Sequence, residues 1–421
     1  MAARVSNDSS SPVYYGWWIV LAAFLNLFFV VGIIFYGFPV FYPYFVESLG
    51  FTRAQVTQGF FLGFLFAGLP FGVLAGTLID RVGARSVVLV GVGLVGLPLL
   101  LMGWMTRFWQ FECLCIVEVL GYVLAGPIPN QVLISRWFSR RRGRAMGCAY
   151  LGLGLGGVVA PLWINYLAHT LGWRHALQLL GAVILVVLFP VAIWVTRSAP
   201  EERGIGSEPG VEPEMVDENL SPQSSSSMGV AQAVRSASFW LLLAGSTLVI
   251  GTIGAVVQHF ILFLKDAGYS ATVAARFSTI LLASSLGGRV MVGYLADRLP
   301  KTRLMTFFYL LIGASVFLLV NPQSSALLST FAIIFGFSMG ADYMLIPLVT
   351  AECFGTAALG KLLALLIMGY SVGQWAAPWI VGRIFDARHS YDLAWKSVAI
   401  AGILGATAIY ALPSSSRRIR S

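Results

Sequence analysis

Twelve apolar runs, each long enough to cross about 30 Å of hydrocarbon as a helix, recur along this chain. They lie near residues 15–46, 53–79, 84–105, 108–136, 142–170 and 174–196, then 236–265, 271–295, 302–320, 325–350, 358–384 and 392–412. The sequence therefore predicts an all-α membrane protein. Composition agrees: 58% of residues are hydrophobic and 11% charged, where soluble domains average about 25% charged. The first run opens at Tyr14-Tyr15-Gly16-Trp17-Trp18 and is too long for a signal-peptide core, so no leading cleavable signal is expected.

Between the sixth and seventh runs lies EERGIGSEPGVEPEMVDENLSPQSSSS, rich in Glu, Pro and Ser, which reads as a disordered linker. It divides the chain into an N-terminal tail (1–14), a six-helix bundle (15–196), a linker (197–235), a second six-helix bundle (236–412) and a C-terminal tail (413–421). The halves echo each other. GTLIDR at 76–81 matches GYLADR at 293–298, an offset of 217 residues, and Gly152, Gly156 and Pro161 match Gly369, Gly373 and Pro378 at the same offset. Two parallel repeats related by pseudo-twofold symmetry, with a substrate site between them at mid-membrane, build one class of secondary transporters.

The net charge of +9 does not point to nucleic acid, because the cations cluster in short loops between spans. Arg81 and Arg85, then Arg136 to Arg144, then Arg298, Lys301 and Arg303, and finally Arg417, Arg418 and Arg420 mark one face as cytoplasmic, with both termini and the linker on that side. Cys113, Cys115, Cys148 and Cys353 all lie in apolar runs without zinc spacing and read as buried apolar side chains.

One cation stands deep inside an apolar run. ILLASSLGGRVMVGYLADR, residues 280–298, holds Arg289 eight residues before the closing Asp297-Arg298, about 12 Å along a helix and more than two turns into the membrane. An arginine there costs at least about 2.5–3.5 kcal/mol on insertion scales. The repeat supplies a control: the equivalent residue in the first half is Gly72, so the helix does not require the charge. Either Arg289 pairs with a buried acid, Asp342 or Glu118, or its anion is a substrate carboxylate, which a planar guanidinium meets with two parallel hydrogen bonds.

GTLIDRVGAR at 76–85 resembles the loop 2–3 signature of the major facilitator superfamily, in which Gly76 permits close packing and Asp80, with Arg81, binds across the cytoplasmic face; Asp297 and Arg298 are the repeat of that pair. TyrTyrGlyTrpTrp at 14–18, RWFSRRRGRAMGCAYLGLGLGG at 136–157 and GGRVMVGYLADR at 287–298 resemble the monocarboxylate transporters and their bacterial relatives, close to the oxalate:formate antiporters. That resemblance implies the major facilitator fold, and a membrane-embedded arginine, here Arg289, on the substrate carboxylate. In the oxalate group a lysine of the eleventh span complements a dianion; Tyr370 stands in its place here, and Lys361 lies near the cytoplasmic end. One deep cation suits one negative charge. The chain departs from animal monocarboxylate transporters at Ser285, where they carry an acid, and in its first span, which offers Asn26 and no lysine.

Other polar residues in the spans complete the expectation. Tyr343 aligns with a substrate-facing tyrosine of the oxalate group, and its neighbour Asp342 is either the resting counter-ion of Arg289 or a protonation site. Tyr370 and Gln374 share a helix face at i, i+4. Asn130, beside Pro127 and Pro129, and Tyr36 are candidate hydrogen-bond donors to substrate or else interhelical ties. His259 is a proton carrier or an interhelical hydrogen bond. Gly152, Gly154 and Gly157 spell GxGxxG inside a span, where glycines pack backbones and no dinucleotide fold surrounds them; GTAALGK at 355–361 lacks the Ser or Thr of a phosphate loop, having Leu362 instead. No cofactor, enzyme activity or obligate protein partner is expected. The expected function is transport of a small monocarboxylate, lactate- or pyruvate-like, across the cell membrane by alternating access with a proton; a carboxylate:carboxylate antiporter or a permease for another small solute is the alternative.

Overall fold

The computed structural model describes residues 14–138, 141–198, 230–296, 298–320, 324–355 and 359–412; Asp297 and the side chains of a few helical residues, Asp80 and Tyr343 among them, lie outside the described set. Twelve of the described helices are long and apolar enough to cross a membrane. They are α1 (Gly16–Leu49), α2 (53–82), α3 (Ala84–Met102), α4 (Phe108–Trp137), α5 (Arg142–Leu171) and α6 (Trp173–Val195). In the second half they are α7 (Ala237–Asp266), α8 (Ala271–Ala296), α9 (Lys301–Leu319), α10 (Ser325–Phe354), α11 (Leu359–Arg388) and α12 (Asp392–Tyr410). Residues 199–229 of the expected linker lie outside the described set, and the linker's end differs from expectation: Val230–Val234 forms a short helix packed against α7 and α11.

An even number of crossings returns the chain to the face where it began. That face, called proximal here, carries Tyr14, whose hydroxyl donates to the Trp137 carbonyl at 2.9 Å, and Tyr15, whose hydroxyl donates to the Val195 carbonyl at 2.7 Å. The TyrTyrGlyTrpTrp opening thus anchors α1 to the proximal ends of α4 and α6. The opposite, distal face carries the α1–α2, α7–α8 and α11–α12 turns.

Within each half, glycines set how closely the helices approach. A Cβ on Gly152 or Gly156 of α5 would lie 2.2 or 2.3 Å from the carbonyl oxygens of Phe24 and Phe28 on α1. Their counterparts at the offset of 217, Gly369 and Gly373 of α11, meet Leu243 and the Thr247 carbonyl of α7 at 2.3 Å each. The repeated glycines therefore do the same work in the two bundles. In α8, Gly288 is pressed against the carbonyl of Phe337, with Gly336 and Gly340 of α10 against the carbonyls of Leu281 and Ser285. Without a hydrophobic effect between helices in lipid, such backbone contact is what drives association.

Several spans depart from regular α-helix, α2 with a π-helical turn at Phe64–Gly68 and α6 with another at Val191–Val195. α1 widens to a π-helix at Gly32–Gly37 and tightens to 3₁₀ at Phe38–Phe41, around Pro39, which has no N–H to give. α4 breaks at Gly126, ahead of Pro127.

Candidate functional site

Arg289 takes its position from the face of α8 it occupies. Gly288 is locked against α10, and one residue on, about 100° around the helix, Arg289 turns toward the other half of the molecule. One nitrogen of its guanidinium lies 3.2 Å from where a Cβ on Gly154 of α5 would stand. The α5–α8 seam that leads there runs from the distal face: Asn165 donates to Thr272 at 3.4 Å, Thr279 donates to the Val158 carbonyl at 3.2 Å, and Leu286 packs on Gly154. These α8 positions recur every seven residues, as expected of a left-handed helix pair. Arg289 closes the seam on its proximal side. Beyond it Gly147 and Cys148 of α5, like Val290 and Tyr294 of α8, are open, and a Cβ on Gly147 would meet nothing within 4 Å.

The other contacts between halves are also distal. Arg53, the first residue of α2, forms an ion pair with Asp266 at the end of α7 at 2.5 Å and stacks 4.7 Å above the Phe385 ring. The backbone N–H groups of Arg53 and Ala54 both donate to the Asp386 carboxylate at 3.0 Å, so an acid of α11 caps the positive end of α2. Lys265 pairs with Glu47 at 3.3 Å. Deeper, Tyr42 of α1 donates to the Gln258 side chain at 2.7 Å, and Gln258 donates to the Phe35 carbonyl at 3.3 Å. An aromatic plug follows. Trp375 of α11 stacks on Phe60 (5.8 Å, 18°) and Phe64 (6.4 Å, 24°) and meets Phe35 edge-on, while Trp379 stacks on Phe61 (5.3 Å, 12°). Among the described residues, these contacts seal the halves on the distal side of Arg289.

Below the plug a set of tyrosines from both halves converges. Tyr122 of α4 lies within electrostatic range of Tyr36, Tyr150 and Tyr370, and Tyr150 within range of Arg289. Gln131 donates to the Tyr150 hydroxyl. Tyr370 is likewise within range of Asp342 and Tyr150. Arg289, Tyr36, Tyr370 and Asp342, singled out from sequence, therefore face one region. Tyr122, Tyr150, Gln131 and Trp375 join them without having been expected; the polar residues at 122, 131 and 150 inside apolar runs were the available signal. Gln374 is half-buried on the Tyr370 face, with its carbonyl 2.3 Å from where a Cβ on Gly254 would sit.

Three expected residues have their polar atoms engaged by protein partners. Asn130 is 1% exposed and donates both amide hydrogens to backbone, at 2.8 Å to Ala125 and 2.7 Å to Gly126. Its amide donors thus serve the break at Gly126, beside Pro127 and Pro129. His259 is buried, with Nε2 2.8 Å from the Pro378 carbonyl and Nδ1 3.2 Å from the Tyr391 hydroxyl; Nε2–H donates to Pro378 and Tyr391 donates to Nδ1, tying α7 to α11 and α12. Asp342 is buried and accepts a hydrogen bond from Tyr309 of α9 at 2.6 Å. Of the proximal pairs, Arg81 is exposed and Arg298 lies 4.0 Å over the Tyr294 ring; the side chains of Asp80 and Tyr343, and residue Asp297, lie outside the described set. The GxGxxG glycines meet Phe24, Leu286, Arg289 and Tyr36, so all three are packing positions.

The Major Facilitator Superfamily description matches residues 24–378. Monocarboxylate transporter 13 of Rattus norvegicus is 27% identical over 405 residues, 95% of this chain and 89% of that protein. Monocarboxylate transporter 12 of Homo sapiens is 26% identical over 302 residues, 66% of this chain and 58% of that protein. Among solved structures, a variant of the nucleoside transporter NupG superposes with a TM-score of 0.75 at 12% identity, covering 94% of this chain and 99% of that one. A bacterial homologue of the human lysosomal transporter Spinster superposes with a TM-score of 0.64 at 17% identity, covering 95% and 94%. Two six-helix bundles, a repeated glycine pattern and a match over most of the length lead to one conclusion: the chain is a membrane transporter of the major facilitator superfamily.

Proposed function

We propose that this protein carries a small monocarboxylate, lactate- or pyruvate-like, across the cell membrane together with a proton. The observation that carries the reading is the place of Arg289: a guanidinium two turns inside a span, at the proximal end of the α5–α8 seam, facing the opposite half. A carboxylate bound there is held by both bundles, and its passage from one face to the other requires them to rock about it, which is alternating access. The relatives named monocarboxylate transporters support the substrate class. The Lys- and Arg-rich loops support a cytoplasmic proximal face, with the distal seal then on the outer side.

Arg289 binds the carboxylate, and Tyr370 and Tyr36 shape the pocket with Tyr150. Asp342, buried beside Tyr309 and in range of Tyr370, takes the transported proton. The electrostatic need for a proton is simple. An anion entering a negative-inside cell climbs about 2.3 kcal/mol per 100 mV, and one accompanying proton cancels that cost.

The test is a thermal-shift and uptake screen of small carboxylates against the wild type and Arg289→Lys. Lactate-like acids raise the melting temperature of the wild type, and the shift disappears in the variant, because an ammonium cannot reproduce the two-point contact. Equal shifts in both proteins sink the assignment. In liposomes, symport requires uptake that follows an imposed pH gradient; counterflow indifferent to that gradient supports carboxylate exchange instead.

A further inference from the structure

Glu118 of α4 is 0% exposed, and neither carboxylate oxygen has a hydrogen-bond partner. It lies in the wall behind the distal seal. One turn toward the distal face, Cys115 packs where a Cβ on Gly59 of α2 would fall 2.8 Å from its sulfur, and Val119 packs in the same way on Gly63. On α1, Tyr42 lies within electrostatic range of Glu118 and donates across the interface to Gln258 of α7. One turn toward the proximal face, Tyr122 faces the tyrosine cluster. The titratable groups around Glu118 are thus Tyr42 from α1 and Cys115 and Tyr122 from its own helix. Arg53 of α2 is engaged by Asp266, and Glu112, a turn and a half away on α4, accepts from Gln58 at 2.9 Å. None of these neighbours offers a positive charge to Glu118.

An ionised carboxylate buried without a donor costs several kcal/mol, so the group is neutral when packed this way. Tyr42 links this buried group to the seal, lying within range of Glu118 while it holds α1 to Gln258 of α7 beside the Trp375 plug. When those contacts part, water reaches the inner faces of α1 and α2, and the carboxyl can ionise.

We propose that Glu118 is a proton-binding site, separate from the proton that travels with substrate, and that its protonation is the condition for closing the distal seal. This deepens the symport reading and rests on it only for the direction of the cycle. Closure takes up one proton, so raising the pH favours distal opening, and by linkage the closure equilibrium moves about tenfold per pH unit wherever the open state is ionised and the closed state is not.

The experiment measures the distance between spin labels on S48C and A267C, at the distal ends of α1 and α7, in liposomes with equal pH on both sides and no carboxylate present. Cys113, Cys148 and Cys353 are replaced by alanine in this background. The wild type shifts from short to long distances as the buffer goes from mildly acid to mildly alkaline. Glu118→Gln stays at the short distance throughout, Glu118→Asp keeps the response, and Asp342→Asn follows the wild type. A wild-type distance indifferent to pH overturns the proposal, as does a Glu118→Gln protein that titrates like the wild type, or a response lost in Asp342→Asn alone. No substrate enters the measurement, so its outcome is independent of whether Arg289 proves to bind a carboxylate.

Discussion

The guanidinium of Arg289 comes within 3.2 Å of the position a methyl group would take on Gly154, in the opposite half of the molecule. The same position is 2.4 Å from Leu286, so a side chain there forces both to move. Gly154→Ala is expected to weaken carboxylate binding several-fold while the protein still folds, because Leu286 and Arg289 have flexible ends that can yield at a cost of about 1–3 kcal/mol. Binding titrations of the two proteins with the preferred acid measure the effect. Unchanged affinity would show that substrate does not reach Arg289 beside α5.

Asp386 caps the first turn of α2 across the interface. Removing a cap costs about 0.5–2 kcal/mol, and here that energy belongs to the distally closed state. Asp386→Ala should therefore favour distal opening by roughly twofold to thirtyfold. The modification rate of a cysteine placed at Thr279, inside the α5–α8 seam, reads this from the distal side; an unaltered rate would mean that the cap contributes nothing to closure.

Trp375 fills the space between Phe35, Phe60 and Phe64. Truncating a buried tryptophan to alanine costs about 3–5 kcal/mol. Trp375→Ala is expected to lower the melting temperature and to let small solutes leak through vesicle-reconstituted protein, whereas Trp375→Phe retains the seal. Leak equal to the wild type in the alanine variant contradicts the plug.

Asn130 repairs a helix break. Asn130→Ala leaves the Ala125 carbonyl, which Pro129 has no N–H to serve, without its donor, at about 1–3 kcal/mol. Stability is expected to fall with carboxylate affinity intact. The opposite result, an unchanged melting temperature with lost affinity, would restore this residue to the substrate site.

Arg289 was legible before any fold was known, because a charge within an apolar run is a one-dimensional signal and the internal repeat showed that the scaffold does without it at Gly72. The twelve spans and the division into six plus six were legible for the same reason: hydropathy is a property of consecutive residues. Asn130 left two readings open on sequence alone, because its donors serve carbonyls of its own helix at a break whose geometry is local but not linear. His259 left two readings open on sequence alone, and its contacts with Pro378 and Tyr391 depend on three helices meeting.

The sequence by itself determined that the chain lives in lipid, how many times it crosses, where its repeat lies and which cation stands apart. Only the tertiary structure decided which faces meet: Arg53 with Asp266 and Asp386, Trp375 with Phe60 and Phe64, Arg289 with Gly154. These pairs come from halves more than a hundred residues apart in sequence, and their contact depends on the rotation and depth of each helix, which backbone packing at glycines sets and hydropathy does not encode.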